Sequence, residues 1–68
     1  MSRTHLLATA GTLDSISDAI ARFYMGERKF LEACGPNSWR VVGSKGKPLD
    51  GVRVIRQRGR FRFEMVAS

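Results

Sequence analysis

The sequence is short of several things, and each shortage removes a class of explanation. It has one cysteine, Cys34, and one histidine, His5, in 68 residues. A lone thiol makes no internal disulfide, and one His with one Cys does not complete a four-ligand zinc site. No apolar run approaches the roughly 18 residues of a membrane-spanning helix. The N-terminus, Met1-Ser2-Arg3-Thr4-His5-Leu6-Leu7-Ala8-Thr9-Ala10, carries a positive charge and an Ala8-x-Ala10 pair. Its apolar part is broken by Thr9 and falls short of the roughly 7 residues that form the core of an export signal. No signal peptide is expected, and a lone thiol then fits a reducing, cytoplasmic compartment.

Acidic residues are also few: 6 Asp and Glu against 12 Lys and Arg, a net charge of +6 and a pI near 10.8. The carboxylates are scattered and suggest no acid–base dyad. Cys34 and His5 stand alone, without an orienting third group. Cys34 reads as a small buried hydrophobe on a strand. A chain this short forms one domain, residues 1–68, and leaves little room for a ligand pocket of the usual ~300 Å³ or more. No catalytic set, cofactor or metal is expected, and the chain is read as a binding protein and not an enzyme. Domains of this size bury only about 60% of their unfolded surface. Without disulfide or metal, regular packing and self-association are left to stabilise it, so a homodimer is expected.

What the sequence does contain is periodic. Residues 3–10 read as a short, little-charged strand, expected at or near the centre of a sheet. Gly11 ends it, and Thr12 or Ser15 can cap a helix, the latter in a Ser15-x-x-Asp18 box. Leu13, Ile16, Ile20 and Phe23 follow a 3-4-3 spacing and predict an amphipathic helix over about 13–25, closed by Gly26 in the left-handed conformation. The period then changes to two. Residues 28–34 and 38–43 read as strands around a Gly35-Pro36-Asn37 turn, and 44–51 as a loop. Residues 52–57 and 60–66 read as a hairpin about Arg58-Gly59. Its register pairs 57 with 60, 55 with 62, 54 with 63, 53 with 64 and 52 with 65. Val52, Val54, Phe61, Phe63 and Met65 then share one face, with Arg56 at its outer end, and Arg53 can pair with Glu64 across the strands. The order β-α-β-β-β-β predicts a single two-layer α+β domain, one helix packed on a mostly antiparallel sheet.

The charge is uneven along this plan. Residues 1–44 carry five Lys and Arg against four Asp and Glu, whereas residues 45–68 carry seven against two. Arg53, Arg56, Arg58, Arg60 and Arg62 lie on the hairpin, with Lys45 and Lys47 in the loop before it. A planar guanidinium matches phosphate, and a basic ribbon of this kind points to nucleic acid, DNA in preference to RNA. These seven residues are the candidate contacts. A solvated, aggregation-resistant strand face needs only one or two charges, often Lys. The competing expectation is a small interaction or inhibitor module, of the kind mobile elements carry, that docks an acidic protein surface. The segment from Gly43 to Pro48 lacks P-loop spacing. Phe61 and Phe63 sit one position later than an RNP-type stacking motif requires, so both are assigned to the core beside Ile16, Ile20 and Phe23. Trp39 and Tyr24 are assigned to packing with a polar edge outward.

Overall fold

The computed structural model describes residues 3–67. Its elements are β1 (Arg3–Ala10), α1 (Leu13–Phe23), β2 (Phe30–Gly35), β3 (Ser38–Val42), β4 (Val52–Gln57) and β5 (Arg60–Ala67). One helix packs on a five-stranded antiparallel sheet of order β1-β5-β4-β3-β2, the α+β plan expected from the periodicity.

The helix begins where its sequence can satisfy an orphan amide. Thr12 is the N-cap: its Oγ1 accepts from the Ser15 backbone N–H at 3.1 Å. Of the two hydroxyls offered by the sequence, Thr12 therefore caps, and Ser15 is its partner. At the other end the chain turns left-handed twice, at Met25 (φ 59°) and Gly26 (φ 86°). The Gly26 N–H donates to the Ala21 carbonyl at 2.7 Å, a six-residue closure that satisfies a terminal carbonyl. Lys29 then ties this corner down. Its Nζ lies 5.1 Å from the Tyr24 ring centroid and 3.1 Å from Glu27 Oε2.

Ile16 and Ile20 project from the helix onto Val41, Val54 and Phe63, and these five side chains are fully buried. The hairpin register agrees at every expected pair, including Arg53 opposite Glu64. Arg58 (φ 55°) and Gly59 (φ 78°) are both left-handed, as a two-residue turn with the natural strand twist requires. Trp39 is half-buried and meets Phe61 edge-on, with ring centroids 5.4 Å apart. Phe23 reaches Phe63 at 5.4 Å but stays 46% exposed, so it closes the core at its margin and is not within it.

Two expectations are corrected. β1 is an edge strand, not a central one: it pairs only with β5, and the hairpin occupies the middle of the sheet. A bulge at Leu7 turns consecutive residues, Leu7 and Ala8, against the core, so this edge strand carries an apolar run without being central. Cys34 is exposed and not buried. It lies on the other edge strand beside an irregularity between Ala33 and Gly35, and its Sγ is 3.6 Å from Ser38 Oγ. The segment after β3 is the loop expected, and it closes on itself. Gly43 accepts from Gly46 N–H and donates to the Lys47 carbonyl, both at 2.9 Å, and Val42 bridges Pro48. Gly46, at φ 80°, supplies the left-handed position that closes this small return.

Candidate functional site

The helix covers one face of the sheet and leaves the other open. Side chains directly opposite each other in a ladder share a face. The pairs Arg53–Glu64, Ile55–Arg62 and Gln57–Arg60 therefore lie on the open face, together with Leu6 and Thr9 of β1, which oppose Glu64 and Arg62. At the end of this face nearest the β4–β5 turn is a groove of about 420 Å³, lined by Leu6, Thr9, Gln57, Arg58, Arg60 and Arg62. The expectation that so small a chain leaves little room for a space of this size is thus corrected in volume, although the space is a groove open to solvent.

The seven candidate residues do not form one cluster. Arg58, Arg60 and Arg62 converge on the groove. Among the described residues, neither Arg58 nor Arg60 has a carboxylate within salt-bridge distance. Arg60 extends toward the end of β1, where its Nη1 lies 4.0 Å from the position a Cβ would take on Gly11. Arg53 and Arg62 share one acid: Arg53 Nε is 3.2 Å from Glu64 Oε1, and Arg62 Nε is 3.1 Å from Oε2. Arg56 opposes Phe61 and so belongs to the helix side of the sheet. Lys45 and Lys47 lie in the return after β3, at the far end of β4 from the Arg58 turn. A strand of this length separates the two ends by about 20 Å.

The hairpin is flanked by β1 and β3, so it is not an isolated ribbon that can enter a groove of duplex whole. Its turn and its open face are what it presents. Leu6, Thr9 and Gln57 were not among the residues singled out from the sequence. Gln57 was legible from the hairpin register, but the β1 residues needed the strand order. The second partner of Glu64 was legible too, because Arg62 and Glu64, two apart on one strand, must share a face.

Comparison with protein families, with characterised proteins and with solved structures finds no match for this chain. Among the described residues there is no cluster of three or more His, Cys, Asp or Glu side chains able to hold a metal ion. No described helix is long and apolar enough to cross a membrane.

Proposed function

We propose that the protein binds nucleic acid, DNA in preference to RNA, through phosphate contacts made on the open face of the sheet. The observation that carries this reading is the convergence of Arg58, Arg60 and Arg62 on one solvent-open groove. Two of the three are not neutralised by a described acid. The turn adds a second argument. Arg58 is left-handed at a position where Asn or Gly is the favoured residue, and a strained position that keeps a charged side chain points to use of that side chain. In this reading Arg58, Arg60 and Arg62 make the central contacts, with Arg53 beside them. Lys45 and Lys47 meet the same backbone farther along. The ~20 Å between the ends of β4 corresponds to about six base pairs of duplex rise. A second copy of the chain, paired along the exposed β1 edge, would extend the same face.

The test is fluorescence anisotropy with labelled duplex and single strands over a salt series. Binding is expected to weaken linearly in log–log form. Arg58→Ala and Arg60→Ala should each flatten the slope by about 0.9 with duplex. No binding to either form at ~50 mM salt sinks the reading. Recovery of an acidic protein from nuclease-treated lysate, with no nucleic-acid binding by the purified chain, would favour the interaction-module alternative.

A further inference from the structure

Glu64 is the one acid on the arginine hairpin, and it is the most buried charged residue described, with 4% of its surface exposed. It stands on the face no helix covers, between Leu6 of β1 and Arg53 of β4. A carboxylate there could have stayed in water. Removing it from water costs several kcal/mol, and the return from ion pairs often only balances that cost. A buried pair is therefore weak evidence for stability, and its use here is sought in the geometry it fixes.

The contacts suit that purpose. Each carboxylate oxygen takes one guanidinium, and both guanidinia use the inner Nε atom. A guanidinium is a rigid planar fork of donors. Holding it by Nε orients the plane and leaves its outer Nη edge turned away from the acid. The arginines themselves remain accessible, with 46% of the Arg53 and 37% of the Arg62 side chain exposed. Arg62 also lines the groove.

We infer that Glu64 is a positioning residue of the binding face, which aims the outer edges of Arg53 and Arg62 at the oxygens of a phosphodiester backbone. This rests on the nucleic-acid reading above. It makes a prediction opposite in sign to simple electrostatics. If Glu64 only cancels charge, its removal strengthens binding to a polyanion. If it positions the two forks, its removal weakens binding although the chain becomes more positive.

Glu64→Gln and Arg62→Lys are measured by anisotropy against the same labelled duplex, with thermal melts to confirm folding. Arg62→Lys keeps the charge but replaces the fork with a point charge. Both variants are expected to bind about tenfold more weakly than wild type, the equivalent of about one charge-assisted hydrogen bond. Equal or tighter binding by either folded variant overturns the inference while leaving the nucleic-acid reading intact. If Glu64→Gln does not fold, Glu64→Asp, which keeps the charge and draws the carboxylate back by one methylene, decides in its place by the same criterion. A wild-type chain that binds no nucleic acid overturns both.

Discussion

Among the described residues two carry left-handed backbone without being glycine, and relieving it should stabilise the fold at both but weaken binding at only one. Met25, at φ 59° and 96% exposed, ends the helix and contributes no burial there. The conformation costs an L-residue roughly 1–2 kcal/mol that glycine does not incur. Met25→Gly should therefore stabilise the fold by about 1 kcal/mol, offset in part by glycine's greater unfolded freedom. A higher urea midpoint at unchanged slope would show it; an unchanged or lower midpoint would refute it. Arg58→Asn relieves the same strain at the hairpin turn, so it should raise the melting temperature while weakening nucleic-acid binding. A variant that gains stability and binds as well as wild type would remove Arg58 from the interface. Tyr24 supplies a pH dependence. Burial raises its phenol pKa above 10.0, with Lys29 acting in the opposite direction. The unfolded chain then loses the proton first, so stability present below about pH 10 should decline as pH rises beyond it. Tyr24→Phe should flatten that part of the profile in denaturant titrations. At this scale the sequence was partly readable. The Arg53–Glu64 pair follows from the period of two, whereas Cys34 is exposed because β2 is an edge strand with nearly all its residues exposed, and alternation does not encode a strand's place in the sheet.

The elements differ in how far their sequence specifies them. The hairpin was legible because three signals agree: alternation on both strands, a two-residue turn ending in Gly59, and an apolar set that one register gathers on one face. The helix was legible from Leu13, Ile16, Ile20 and Phe23, and from a hydroxyl at its start. The place of β1 was not. Alternation reveals faces, but it does not say whether a strand lies at the centre or the edge of a sheet, and the Leu7 bulge imitates the continuous apolar run of a buried strand. The core joins these elements through very few side chains. Phe63 is fully buried, pairs with Val54 and Ala8, and meets Phe23 and Tyr24. Truncating such a residue to alanine costs about 3–5 kcal/mol. A chain of this length has only about 3–10 kcal/mol in total. Phe63→Ala should leave the chain largely unfolded near 25 °C, seen as loss of a cooperative far-UV circular dichroism melt. A sharp melt within a few degrees of wild type would show that the core tolerates the cavity.

For the whole molecule, the sheet order decides what the charge asymmetry means. Placing the arginine hairpin at the centre puts Arg53, Arg60 and Arg62 on a broad face, with the two sheet edges at β1 and β2. The hairpin is therefore not the edge that a second copy would extend, which leaves the outer strands for the self-association expected from size. β1 is the longer of the two, at eight residues, and it carries Leu6 half-exposed beside the groove. An unpaired strand of that length with few charges is a template for pairing. Antiparallel pairing of β1 with its own copy would join the two open faces into one surface, with a groove on either side of the twofold axis. Two consequences can be measured together. Light scattering at micromolar concentration should give twice the 7.6 kDa chain mass. Leu6→Lys, which places a charge on the pairing edge, should return the mass to that of one chain. A single 7.6 kDa species for the wild-type chain would sink the dimer and would leave the groove, with Glu64 behind it, as the binding unit of a monomer.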